Sequence, residues 1–173
     1  MAQPRRAKTT NKLAHGARIL VVEARFYEDI ADLLLEGATR VLAAAASAWD
    51  RISVPGSLEI PAAIAIALEA AERRRRPYDG VVALGCVIRG ETFHFDIVAM
   101  QSARALVDLS VARRIPIGNG IITVDKRAQA LVRARPDKGD KGGDAARAAL
   151  TLVAIKRGYV TQSSHGQAGR TKN

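Results

Sequence analysis

Residues 81–96 read Val81-Val82-Ala83-Leu84-Gly85-Cys86-Val87-Ile88-Arg89-Gly90-Glu91-Thr92-Phe93-His94-Phe95-Asp96, or VVALGCVIRGETFHFD. The first eight residues contain no charged group and no polar alternation. A short unbroken run of this kind, rich in valine, marks a strand covered on both faces. Arg89, Gly90 and Thr92 then end the run, and the period changes. Phe95, Val98, Ala99, Ser102, Leu106 and Leu109 recur at helical spacing, which predicts a helix from about Thr92 to Arg113. A buried strand passing through a tight polar turn into a helix is half of a β-α-β unit.

The same alternation extends in both directions. Upstream, ARILVVEA (17–24) is a second apolar run, followed from Tyr27 by Ile30, Leu33, Leu34, Gly37 and Val41 on one helical face. Glu28, Asp29, Asp32 and Glu36 crowd the first half of that helix, as its dipole favours. DRISVPG (50–56) is a short strand closed by Pro-Gly. Glu59 opens a helix with Pro61 in its first turn and Ile60, Ile64, Ala67, Leu68 and Ala71 as its stripe. Pro77-Tyr78-Asp79-Gly80 is a turn. Downstream, IPIGNGIITV (115–124) is a fourth strand. A short helix (about 126–134), a loop RPDKGDKGG (135–143) and a last helix (about 144–157) complete the chain. Strand and helix alternating four times predict an α/β protein. The expected fold is a three-layer α/β/α sandwich with a four-stranded parallel sheet, flavodoxin-like. No internal repeat or linker divides it, so residues 17–158 are expected to form one domain. Residues 1–16 are expected to be a disordered arm and residues 159–173 a flexible basic tail.

Composition narrows the function classes. The 173 residues carry a net charge of +10, which invites a nucleic-acid reading. Residues 1–12 and 156–173 together hold eight lysines and arginines and no acid, so the body is nearly neutral. Mobile basic tails bind polyanions weakly and do not read a groove, and no nucleic-acid signature is present. The run Arg73-Arg74-Arg75-Arg76 ends a helix, where cations complement the dipole. The single cysteine, Cys86, excludes a disulfide framework and a multi-thiol metal site, and a reducing cytoplasm is the expected compartment. No apolar run reaches the roughly 18 residues that span a bilayer. No metal is expected: His15 and His165 fall in the tails, apart from His94.

Ligands of open α/β sheets bind at the carboxyl ends of the strands. There the sequence places Arg25, Phe26 and Tyr27 after strand one, and Gly56, Ser57 and Glu59 after strand two. Arg89 to His94 follow strand three, and Gly118-Asn119-Gly120 lies in strand four. All four sets are expected on one rim. Gly90 permits a tight turn, and the amides opening the next helix form an anion-ready end, to which Thr92 adds a hydroxyl. His94 sits in the same turn. The positive helix end disfavours its imidazolium and a bound phosphate favours it, which suits a proton carrier. Each feature also has a plainer reading. A glycine turn and a threonine cap begin many helices. A phenylalanine at a strand end is often a core plug, Glu59 can be a first-turn acid, and Lys141 can be a solvated loop charge. The functional reading rests on their convergence.

The segments RFYED, VPGSLEIP, GCVIRGETFHFD, PIGNGIITVD and KGDKGG, in this order and spacing, resemble the lumazine synthase family over about residues 17–158. The resemblance implies a transferase of riboflavin biosynthesis without metal or organic cofactor. It condenses 5-amino-6-(D-ribitylamino)uracil with 3,4-dihydroxy-2-butanone 4-phosphate, giving the lumazine, phosphate and water. It implies that Phe26 stacks on the pyrimidine and that Gly56, Ser57, Leu58 and Glu59 hold the ribityl chain. Val87 and Ile88 contact the pyrimidine through their backbone. Arg89, Gly90, Glu91 and Thr92 surround the phosphate of the second substrate, and His94 is the acid/base. Arg133 grips the phosphate and Lys141 lies near it, both from a neighbouring subunit. Asn119 stands where several members carry a phenylalanine that closes the pocket across subunits. Tyr27 and Glu91 also depart from smaller residues common in the family. The resemblance further implies a homopentamer with sites between adjacent subunits, in some members assembled further, and an N-terminal arm that exchanges a strand. Riboflavin synthase is a further expected partner; a membrane or a specific nucleic acid is not. The alternative is a non-catalytic flavin- or lumazine-binding protein on the same fold.

Overall fold

The computed structural model of the chain describes residues 14–166, and the side chains of residues 14–159. The expectation of a disordered or strand-exchanging arm lies outside the described residues, except that residues 14–16 form a short turn. Nine elements follow: β1 (Arg18–Ala24), α1 (Glu28–Ala44), β2 (Ala48–Val54), α2 (Glu59–Arg73), β3 (Gly80–Ile88), α3 (His94–Arg113), β4 (Ile117–Val124), α4 (Arg127–Ala134) and α5 (Lys141–Gly166). All strand pairings are parallel, in the order β2-β1-β3-β4. This is the flavodoxin-like order.

The two inner strands are the apolar runs of the sequence. β1 is buried from Ile19 to Ala24, and β3 from Gly80 to Gly85. Alternate residues feed two cores. Ile19, Val21, Val82 and Leu84 pack with α1, α4 and α5, and with Ile122 and Val124 of β4. Leu20, Val22, Val81 and Ala83 pack with Ile60, Ile64 and Leu68 of α2 and Leu106 of α3. Each fully buried leucine or isoleucine contributes about 1.5–3 kcal/mol of transfer free energy. The α1 stripe is as expected at Ile30, Leu34 and Gly37, and the α2 stripe at Ile60, Ile64, Leu68 and Ala71. No helix among the described residues is long and apolar enough to cross a membrane.

One buried side chain breaks the apolar pattern. Glu23 is fully buried, and its carboxylate accepts from Arg51 Nε (2.7 Å), Arg51 Nη2, Ser53 Oγ (2.9 Å) and Arg25 Nη1 (3.3 Å). Arg25 donates onward to Asp32 of α1 at 2.9 Å. A buried carboxylate is tolerable only when paired in this way, and removal of a partner costs roughly 3–5 kcal/mol. The network fixes the exit of β1 against β2 and α1, immediately before Phe26.

Among the differences from the sequence reading are two element boundaries and one placement. β2 begins at Ala48, two residues early, because the strand is an exposed edge whose polar residues mask its period. α5 begins at Lys141 and runs to Gly166, whereas the sequence suggested a loop to 143 and a tail from 159. Gly142 and Gly143 read as loop residues, yet they occupy the first turn of α5 where it presses on α1. A Cβ on Gly142 would collide with the Leu34 carbonyl oxygen.

The third difference concerns Gly118-Asn119-Gly120, expected at the ligand rim. Asn119 pairs with Ala83 in mid-sheet, while Val124 pairs with Ile88 at the carboxyl end. Five residues of strand, about 16 Å, separate Asn119 from that rim. The two glycines serve packing instead. A Cβ on Gly118 would collide with the Ala145 carbonyl oxygen of α5, and one on Gly120 would lie 2.9 Å from the Ala145 methyl. Gly118→Ala should therefore destabilise the protein by about 3 kcal/mol or prevent folding. Gly90→Ala, where an added Cβ meets nothing within 4 Å, should change stability by less than about 0.5 kcal/mol. Urea unfolding midpoints of the two variants check this contrast, and equal losses would contradict it.

Candidate active site

The chain leaves β1 toward one face of the sheet and leaves β3 toward the other, so their exits diverge at the switch point between neighbouring strands. A cavity of about 470 Å3 opens there. Phe26 and Tyr27 line it from the end of β1, and Pro55, Gly56, Ser57, Leu58 and Glu59 from the end of β2. Cys86, Val87 and Ile88 form its floor at the end of β3. Gly90, Thr92, His94, Phe95 and Val98 close it from the turn and first turns of α3.

The geometry bears on one of the readings left open above. Phe26 is 72% exposed, so it is not a core plug. Its ring meets Tyr27 edge-on, with centroids 4.9 Å apart and planes at 76°, and lines the cavity. Offset or edge contacts of this kind suit a stacking platform. Gly56 lacks a Cβ where one would lie 2.9 Å from Glu59 Oε2, so the Glu59 carboxylate folds back over the loop. Gly85 likewise leaves room for Ser57 Oγ, which an added Cβ would approach to 2.8 Å. Ser57 is thereby buried against β3.

His94 is the first residue of α3, and its amide donates weakly to Thr92 Oγ1 at 3.4 Å. The helix begins two residues later than expected because Thr92 turns its hydroxyl back onto that amide. The amides of Glu91, Thr92 and Phe93 make no hydrogen bond among the described residues. Successive free N–H groups at a helix start form a site for an anion. The cavity thus combines a flat apolar wall, a carboxylate and hydroxyl at one end, an amide turn at the other, and an imidazole. Such a set can hold a planar heterocycle with a polar chain beside an anionic group, and can move a proton between them.

Ten of the sequence-derived site residues line this cavity, and five do not. Glu91 is exposed beside it. Arg89 turns away from it: its Nε donates to Asp125 (3.1 Å) and its Nη1 to Asp96 (3.3 Å). Asn119 lies in mid-sheet with its Oδ1 accepting from the Ile121 amide at 2.9 Å. Arg133 is exposed at the end of α4, donating to the Gln129 carbonyl at 3.3 Å. Lys141 heads α5 and pairs with Asp144 at 3.0 Å. The lining consequently contains no lysine or arginine. Among the described residues, no three of histidine, cysteine, aspartate and glutamate gather to hold a metal.

The sequence reading missed Pro55, Phe95, Val98 and Cys86 as lining residues, and noted Tyr27 only by its place after strand one and as a departure from the family. Phe95 and Val98 had been placed on the helix core face. They belong to the lining because the first turn of α3 overhangs the strand ends, a relation that periodicity does not carry. Cys86 could have been found from the strand alternation, since it shares a face with Ile88. Burial pushes the Cys86 thiol up from 9.0 to about 12, so it is no thiolate nucleophile near neutral pH.

Comparison with known proteins points the same way. The family described as 6,7-dimethyl-8-ribityllumazine synthase matches residues 16–157. A protein of that name from Nitrobacter hamburgensis is 64% identical over 158 residues, covering 91% of this chain and 97% of its own. One from Rhodopseudomonas palustris strain BisA53 is 62% identical with the same coverage. The 6,7-dimethyl-8-ribityllumazine synthase 1 of Rhizobium meliloti is 60% identical over 139 residues, covering 80% of this chain and 91% of its own.

The raised thiol sets a measurable pH window. Below pH 9 the thiol is protonated in folded and unfolded chains alike. Between pH 9 and about 12 the unfolded chain ionises first, so Cys86 withdraws stability as pH rises through that window. At pH 8.5 iodoacetamide should label Cys86 in the folded protein on the order of 100-fold more slowly than in urea. Equal labelling rates would contradict the burial of the thiol.

Proposed function

The chain belongs to the 6,7-dimethyl-8-ribityllumazine synthase family, and from that premise we propose how its own residues perform the reaction. The enzyme condenses 5-amino-6-(D-ribitylamino)uracil with 3,4-dihydroxy-2-butanone 4-phosphate, releasing phosphate and water. An amine must attack a ketone, a Schiff base must form and phosphate must depart. The observation that carries the residue assignment is the shared cavity: the exposed ring of Phe26, His94 and the turn residues Gly90 and Thr92 border one space.

In this reading the pyrimidine stacks on Phe26, with the backbone of Val87 and Ile88 along its edge. The ribityl hydroxyls meet the Gly56-Ser57-Leu58-Glu59 loop, where Glu59 accepts and Ser57 donates or accepts. The phosphate lies at the turn of Gly90, Glu91 and Thr92, held by amides at the positive end of α3. His94 takes the proton released when the amine attacks and returns one as water or phosphate leaves. Holding both substrates in one cavity removes a large part of the entropic barrier.

The absence of a cation in the lining supports assembly. A phosphate dianion held by amides and one imidazole is undercompensated, and its departure calls for a strong donor. Arg133 and Lys141 are exposed and lie outside the cavity of their own chain, so a neighbouring subunit supplies them, with Asn119 at the same junction. α3 carries a matching interface. Phe93, Ile97, Met100, Val107 and Val111 are exposed on its outer face, spaced by alternating steps of four and three with Arg104 completing the seam. That 3.5-residue period is what helices need to wrap around copies of themselves. A homopentamer in the cytoplasm, with a site at each subunit junction and riboflavin synthase taking up the product, is the assembly proposed.

Mixing purified protein with both substrates should yield the fluorescent lumazine; an inactive wild type would sink this reading. His94→Ala should lower kcat by roughly 10²–10⁴-fold while pyrimidine binding persists. An unchanged rate would argue against the proton-carrying role of His94. Met100→Lys should shift the sizing profile toward smaller species and lower activity with it, because each site loses its neighbour. A monomeric yet fully active variant would refute the shared site.

A further inference from the structure

Arg89 was expected among the phosphate contacts, but its side chain pairs with two carboxylates outside the cavity. Its guanidinium bridges Asp125, just past β4, and Asp96, in the first turn of α3. It also lies 4.0 Å from the centre of the Phe95 ring. Phe95 lines the cavity and Arg89 does not, so the arginine braces the ring from outside. Its own amide donates to the Val124 carbonyl at 2.9 Å, which extends the β3–β4 pairing by one residue.

Residues 89 and 96 bracket the turn that presents the free amides of 91–93. That turn is exposed throughout, and an added Cβ at Gly90 would meet nothing. The turn therefore has little packing of its own to hold it. The ion pair between Arg89 and Asp96 closes the ends of the turn on each other, and the pair with Asp125 ties both to the sheet edge. The cluster of one arginine and two aspartates is net negative, so it offers no attraction to a phosphate. Direct contact would have to be made through the remaining N–H groups, beside two carboxylates that repel the anion.

We propose that Arg89, with Asp96 and Asp125, is a positioning residue that preorganises the phosphate-binding turn and does not itself touch the substrate. The proposal rests on the reading of residues 90–92 as the phosphate site. A turn held in its bound shape binds its anion more tightly because less ordering is required on binding. The readout is selective, since the pyrimidine stacks on Phe26 of another loop and otherwise meets Val87 and Ile88, which are held within strand β3 rather than in the turn.

The discriminating variant is Asp125→Asn. If Arg89 were a phosphate ligand, freeing it from Asp125 would leave the KM of the phosphate substrate unchanged or lower it. As a clamp, its loss should raise that KM about 3–10-fold while the KM of the pyrimidine substrate stays within about twofold. Arg89→Met should do at least as much. Arg89→Lys should recover only part, since a lysine cannot fork between two acids. The double variant should fall short of the sum of the single effects. An unchanged or lowered KM in Asp125→Asn overturns the proposal, as does a parallel rise in both KM values with a lowered Tm. Calorimetric titration of wild type and Asp125→Asn with inorganic phosphate repeats the comparison without catalysis. An inactive wild type would defeat the functional reading, while weaker phosphate binding in Asp125→Asn would still uphold the clamp and equal binding would defeat it.

Discussion

The layer formed by α1, α4 and α5 depends on backbone meeting backbone. At two points α5 lies so close to β4 and α1 that no Cβ fits between them: Gly118 faces the Ala145 carbonyl and Gly142 faces the Leu34 carbonyl. Gly37 and Gly143 make room for Asp140, whose carboxylate also meets Arg147 at 2.8 Å. Small residues continue the contact along α5 at Ala145, Ala146 and Ala149, all buried. This close approach sets where α5 can begin, and with it where Lys141 stands. It also buries the mid-strand segment of β4 on that side, so only the opposite side of Asn119 remains available.

The two faces of the sheet divide the labour. The glycine-packed face gives a rigid support, anchored at its far end by the buried Glu23 and its arginines. The other face carries α2 and α3, whose starts supply the loop of Ser57 and Glu59 and the turn of Thr92 and His94. The cavity lies where the exits of β1 and β3 part. Phe26 is exposed there because the chain around it is held from behind. Arg25 is tied to Glu23 and Asp32, which lets the next residue present a bare ring without collapsing into the core.

Much of this was legible in the sequence. Continuous apolar runs at β1 and β3 can only be strands covered on both faces, and helical spacing between strands forces parallel crossovers. The positions of Phe26, Ser57, Glu59, Thr92 and His94 followed from the rule that ligands gather at strand ends. The misreadings share one cause. Glycine in Gly118-Asn119-Gly120 and in Lys141-Gly142-Gly143 has two uses, freedom of the chain and close approach of another element, and sequence alone does not separate them. Arg89 was harder to read for a related reason. Its place beside an anion turn suggested a ligand, while its carboxylate partners lie seven and thirty-six residues away, one of them just past β4.

A cavity whose described lining holds no lysine or arginine has a consequence for mixtures of chains. If one subunit offers the aromatic ring and imidazole and its neighbour the arginine, each junction draws its two halves from different polypeptides. Two damaged copies, one injured at His94 and the other at Arg133, then place both injuries at some junctions and neither at others. Rings formed from both kinds regain working junctions that rings of either kind lack, so in a cell carrying both copies two defective alleles can rescue each other.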